Sequence, residues 1–166
     1  MVVKKNLPDF KAMAELRYQI RRFLRFSENV ARHAGIEPQQ HQLLLAVRGL
    51  PDNLKPTIGV LAERMQLQPH STVELVDRLA DRGFLLRLRA TDDRRQVLVK
   101  LTRDGEEFLK KLSLHHLGEL QAAGPKFVKI LQRLIESVEA SPGAAADLTT
   151  ANVKTVHQQR KDKNHG

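Results

Sequence analysis

Between residues 58 and 101 the apolar side chains change period. Up to Leu79 they recur every three or four residues, and from Phe84 onward they alternate. Ile58, Leu61, Ala62 and Met65 form one face of a short helix, with Thr57 placed to cap it. Gln66-Leu67-Gln68 interrupts that pattern. Pro69 suits the first turn of a second helix, PHSTVELVDRLADR, whose core face is expected to hold Val73, Val76, Leu79 and Ala80, with Gly83 at its end. Phe84, Leu86 and Leu88 then alternate with Leu85, Arg87 and Arg89. Val97, Val99 and Leu101 alternate with Leu98 and Lys100. A period of two belongs to strands, and the charged stretch 90–96 between the runs predicts a hairpin turn. Two short helices, a tight turn and a hairpin in this order predict a winged helix-turn-helix, a mainly α fold with a small β-hairpin wing.

The flanking segments are helical. Met13, Leu16, Ile20, Phe23, Leu24, Val30 and Ala31 predict a long first helix that starts near Pro8-Asp9 and ends near Gly35. Arg17, Arg21, Arg25 and Arg32 lie on its other face. Glu37-Pro38 opens a second helix with Leu44, Leu45 and Val47 available for a core. The segment 49–56 is a loop by its Gly, Pro, Asp and Asn content. Thr102 starts a helix whose Asp104, Glu106 and Glu107 sit favourably near its positive end. Gly124-Pro125 is expected to break that helix, and Phe127 to Val138 to form a last one. From Ser141 the large apolar residues cease, so 141–166 reads as a mobile or partly helical basic tail.

Charge narrows the function. The 166 residues carry a formal net charge of +9, which favours anionic partners, chiefly nucleic acid or a membrane surface. No apolar run approaches the roughly 20 residues that cross a bilayer, and MVVKKNLPDF lacks a secretory signal's apolar core. The chain has no cysteine, which excludes disulfides, thiolate zinc sites and cysteine nucleophiles. A cytoplasmic protein is expected. No paired carboxylate, glycine loop, nucleophile motif or metal quartet stands at a recognisable spacing, so neither catalysis nor a cofactor is expected. Adjacent His115 and His116 point about 100° apart on a helix, which disfavours a shared metal.

The second short helix is the candidate for a DNA major groove, which admits an α-helix and displays a distinctive donor and acceptor code. Its exposed start would offer Gln68, His70, Ser71, Thr72 and Glu74 to base edges. The blander role for Ser71 and Thr72 is service at the helix start. A carboxylate repels phosphate, so Glu74 would have to accept from a cytosine amino group, pair with a neighbouring Arg, or act through water.

LAERMQLQPHSTVELVDRLADRGFLLR followed by DDRRQVLVKLTRDGEEFL resembles the MarR (multiple antibiotic resistance regulator) family of bacterial and archaeal transcription regulators. The motifs agree in order and spacing from about Ile58 to Leu109, and more loosely to about Ala140. The resemblance implies a homodimer on double-stranded DNA, its two winged domains meeting successive major grooves of a near-palindromic site. It divides the chain into an N-terminal dimerisation helix (1–36), a winged DNA-binding domain (37–102), C-terminal dimerisation helices (103–140) and the tail (141–166). Asp93 and Arg95 match the family's wing motif. In the family that Arg enters the minor groove, whose negative potential attracts it, and the Asp orients it. Arg78 and Arg94 would serve as phosphate or intraprotein partners. A small aromatic or anionic effector is implied as well, with Arg22, Phe23, Phe26, His41, Leu45 and His115 or His116 as candidate lining. The competing expectation is a winged module for protein contacts. Departures from the family pattern are the long loop 49–56, Pro69-His70 with Glu74, and the tail.

Overall fold

The computed structural model describes residues 8–89 and 96–139. Asp93, Arg94 and Arg95 of the predicted turn lie outside the described residues, as does the predicted tail. Five helices and one hairpin follow in order: α1 (Phe10–His33), α2 (Pro38–Arg48), α3 (Ile58–Met65), α4 (Pro69–Asp81), β1 (Leu85–Arg89), β2 (Val97–Leu101) and α5 (Arg103–Glu139). The strands are antiparallel, with Leu85 opposite Leu101, Arg87 opposite Val99 and Arg89 opposite Val97.

The chain packs as two units. One is Arg22–Gln121; the other is made of the described residues of Met1–Arg21 and Ala122–Gly166. The core of the first holds Leu43 and Leu44 of α2, Leu61 of α3, Leu75, Val76 and Leu79 of α4, Leu85, Val99 and Leu101 of the hairpin, and Leu109 and Leu112 of α5. A fully buried aliphatic side chain contributes about 1.5–3 kcal/mol, so this cluster orients α4 and the hairpin together.

Local chemistry sets the helix ends. Thr57 Oγ1 accepts the Val60 N–H at 3.3 Å and caps α3. The Gln40 side chain accepts the Glu37 N–H at 3.2 Å, which gives a buried amide its partner at the start of α2. Helices α1, α3 and α4 finish alike: Ile36, Leu67 and Phe84 donate their N–H groups to the carbonyls of Ala31, Ala62 and Leu79. That closure needs a left-handed residue just before the donor. Gly35 and Gly83 supply it at φ 76° and 74°, but Gln66 does so at φ 54°.

Two expectations are corrected, for α2 and α5, and the inward face of β1, which alternation alone leaves open, is settled. The alternation in β1 puts Leu85 in the core and leaves Leu86 and Leu88 outside, because Leu85 pairs with the buried Leu101. In α2, Leu43 and Leu44 are buried, whereas Leu45 is 50% exposed. Helix α5 runs unbroken through Gly124-Pro125 to Glu139. A proline inside a helix gives up one backbone bond and costs roughly 3 kcal/mol. Here Ala123, Phe127, Ile130 and Leu134 keep one inward face across the proline, and that common face favours a single helix.

In the other unit Asp9 accepts from the Ala12 N–H at 2.9 Å and from Arg133 Nε at 2.6 Å. These bonds hold its carboxyl below the usual range. Lys126 at 2.6 Å and the Gln19 amide at 2.9 Å do the same for Glu15. Met13 and Ile20, two of the residues whose spacing predicts α1, are exposed together with Phe10 and Tyr18, and Val128, Leu131, Ile135 and Val138 are exposed on α5.

Candidate nucleic-acid interface

Helix α4 faces two ways. Thr72, Leu75, Val76 and Leu79 are buried, at the three-and-four spacing of one helical face. His70, Glu74 and Arg78 stand four residues apart on the exposed side and make a polar stripe about 12 Å long. Gln68 at the N-cap is exposed, and Ser71 is half-buried. The expectation that Thr72 faces outward is corrected: it has 0% exposure, and its hydroxyl donates to the Gln68 carbonyl at 3.2 Å. Thr72 closes the first turn of α4 from inside, and Val73, assigned to the core, is half-buried. The reason is phase. Taking 72, 75, 76 and 79 as the inward set gives α4 two leucines to bury.

Glu74, Asp77 and Arg78 of α4 are ion-paired. Glu74 Oε2 lies 3.5 Å from Arg78 Nη2 in an exposed pair one turn apart, so a neighbouring Arg offsets the carboxylate's charge. Asp77 Oδ1 lies 2.8 Å from Arg87 Nη1 and joins α4 to β1. That pair has no signal in the sequence, where Arg87 is only one position of an alternating run.

The hairpin is fixed at its base. The Val99 N–H donates to the Pro56 carbonyl at 2.9 Å, and Thr57 bridges Leu98. Thr102 donates its N–H to Phe84 O at 3.1 Å and its hydroxyl to Gly83 O at 2.6 Å, and the same hydroxyl accepts the Gly105 N–H at 3.0 Å. Phe84 stacks on Phe108 at 4.7 Å, and the Arg82 guanidinium sits 5.1 Å from the Phe84 ring centre. One threonine thus ties the end of α4, the root of β1 and the first turn of α5.

Some of the predicted effector-lining residues meet, around His116, the second of the two histidines named for that lining. His116, 9% exposed, contacts Phe23 and Phe26 edge-on and stacks on His41 with ring centres 4.8 Å apart. Its Nδ1 lies 2.7 Å from the Leu112 carbonyl, which only accepts, so Nδ1 carries the proton. Nε2 lies 2.8 Å from Ser27 Oγ and accepts that hydroxyl's proton when the ring is neutral. His41 is 3% exposed; burial, and then the charge of His116, push its pKa down to about 4. The remaining candidates stand apart from this cluster. His115 is exposed and lines a cleft of about 470 Å³ with Phe26, Asn29, Val30, His33, Ala34 and Leu112. Leu45 lines a second cleft, of about 780 Å³, with Arg48, Arg103, Glu106 and Lys110. Arg22 pairs with Glu119 at 3.0 Å.

An amphipathic helix behind a short capped helix, with an antiparallel hairpin locked to its end, defines a winged helix-turn-helix protein. The model of the MarR family matches residues 34–96, the winged part of the chain. An uncharacterized HTH-type transcriptional regulator of Bacillus subtilis (strain 168), YhbI, is 36% identical over 59 residues, which is 36% of this chain and 38% of that protein's length. Among solved structures, a MarR family transcription regulator is similar with a TM-score of 0.65 at 18% identity, over 85% of this chain and 92% of that one. Wild-type MarR (apo form) from E. coli gives 0.52 at 19% identity, over 90% and 97%. CouR from Rhodococcus jostii RHA1, solved bound to p-coumaroyl-CoA, gives 0.57 at 21%, over 79% and 88%. These structural likenesses carry the fold. Among the described residues no helix is long and apolar enough to cross a membrane.

Proposed function

We propose that this chain is a sequence-specific transcription regulator that binds a near-palindromic operator as a homodimer and responds to a small molecule, most simply as a cytoplasmic repressor. The observation that carries the reading is the polar stripe of His70, Glu74 and Arg78 on α4, with Gln68 at its start, presented beside a locked hairpin in a chain of net charge +9. A helix of this kind fits the major groove, and its exposed side chains have the donors and acceptors that base edges require. Arg94 and Arg95 would extend the contact to phosphate and minor groove, with Asp93 as brace. The exposed apolar side chains Phe10, Tyr18, Leu131 and Ile135 support a second copy as partner, since an apolar face of this kind marks an interaction site. The p-coumaroyl-CoA of CouR supports a small-molecule effector.

Selection from randomised duplex DNA at low salt tests this reading. Two half-sites spaced by about one helical turn are expected, with affinity falling steeply as salt rises. A pool that enriches no sequence, with no measurable binding, would reject it. The second reading, a winged module for protein contacts, is favoured by the exposed Leu86 and Leu88 on the outer face of the hairpin. Under that reading salt would leave partner binding nearly unchanged.

A further inference from the structure

The hairpin's two strands are held differently. On the β2 side, the Thr57–Leu98 bridge and the Val99 bond to Pro56 fix the backbone. On the β1 side, the ion pair between Asp77 and Arg87 at 2.8 Å is, among the described residues, the one ion pair that joins the hairpin to α4. Arg87 is the middle residue of β1 and lies opposite the buried Val99. A two-stranded ribbon is easily twisted, so a tie halfway along its free strand sets its angle to the helix. The lever matters. Five residues of extended chain span about 16 Å, and over that length a rotation of about 10° displaces the end by about 3 Å. A hydrogen bond tolerates far less.

We infer that Asp77 and Arg87 are positioning residues for DNA: their ion pair fixes the angle between α4 and the hairpin, so that helix and wing reach one half-site together. This rests on the DNA-binding reading above. The pair is partly exposed on both sides, so it contributes little to stability.

The sign of one substitution separates positioning from simple charge. Asp77→Asn removes a negative charge from a surface meant for DNA. Electrostatics alone would tighten binding, whereas lost positioning weakens it. The dissociation constants of the full chain and of Asp77→Asn are measured on the sequence the wild type selects and on a random duplex. The selected sequence should be bound about tenfold more weakly, and the random duplex equally or slightly more tightly. The melting temperature should fall by no more than about 4 °C. Arg87→Gln should also weaken selected binding, and the double variant should be no weaker than Arg87→Gln alone. Unchanged or tighter binding of Asp77→Asn to the selected sequence would overturn the inference while leaving the DNA reading intact. If the wild type selects nothing, the DNA reading falls and takes the inference with it.

Discussion

Gly105 and Gly118 lie on the same helix, α5, and the same substitution at each should move stability in opposite directions. At Gly105 an added Cβ would overlap the Phe84 carbonyl oxygen and sit 3.0 Å from its carbonyl carbon. Carbon pairs in contact are about 3.5–4.0 Å apart, so α5 has to retreat by about 1 Å. The Phe84 carbonyl also accepts the Thr102 N–H at 3.1 Å, and the Thr102 hydroxyl donates to Gly83 O at 2.6 Å. A retreat stretches both bonds and loosens the Phe84–Phe108 stack. Each bond is worth about 1 kcal/mol and the stack about another 1 kcal/mol. Alanine's better helix propensity returns at most about 1 kcal/mol, which leaves a net loss of about 2 kcal/mol. At Gly118 an added Cβ meets nothing within 4 Å. Only propensity and unfolded-chain entropy act there, for a gain of about 0.5–1 kcal/mol. In thermal unfolding followed by circular dichroism, Gly105→Ala should melt about 4–8 °C lower than wild type and Gly118→Ala about 1–3 °C higher. A Gly105→Ala protein as stable as the wild type would show that α5 does not depend on close approach to Phe84, and the reasoning about the base of the hairpin would fail.

Acid should destabilise the Arg22–Gln121 unit through His41, whose pKa is held at about 4 in the fold. The unfolded chain, at about 6.5, binds the proton first, so stability is fully present above pH 6.5 and declines as pH falls toward 4. The loss is about 2 kcal/mol by pH 5, above the range in which most carboxylates titrate. Urea denaturation of His41→Phe should show a flatter profile between pH 6.5 and 5, and a profile parallel to wild type would refute the assignment. Arg95→Ala should weaken operator binding strongly at an unchanged melting temperature, as gel-shift and thermal measurements would show, and normal operator binding would remove Arg95 from the interface. Gln66→Val places a β-branched residue at φ 54° and should cost about 1–2 kcal/mol in urea denaturation, while a neutral outcome would mean the turn before α4 relaxes freely.

Much of the fold was legible because hydrophobic period reports secondary structure directly. The capped α3, the proline-led α4 and the two alternating runs follow from three- or two-residue spacing, and the wing motif between them carries the resemblance to a family. The phase of burial was harder. Val73 and Thr72 are adjacent and similar in size, and a β-branched side chain suits either environment. Choosing between them required knowing that Leu75 and Leu79 both go inward, which tertiary packing decides. Leu85 was similarly hidden, because alternation gives two faces without saying which one meets Leu101. Gly124-Pro125 misled for a related reason. A proline's local cost was visible, whereas the continuous inward face that offsets it depends on packing from both sides. The histidines show the limit most clearly. His115 and His116 are adjacent, and the angle between them disfavours a shared metal. The same angle means that only one can join Phe23, Phe26 and His41, and it is His116, with Leu112 O and Ser27 satisfying both ring nitrogens. A buried imidazole needs partners for both nitrogens, and Ser27 stands 89 positions away in the chain. No local pattern announces a partner at that distance, so side-chain pairs that join elements, such as His116 with Ser27 and Arg87 with Asp77, become visible only once the fold is formed.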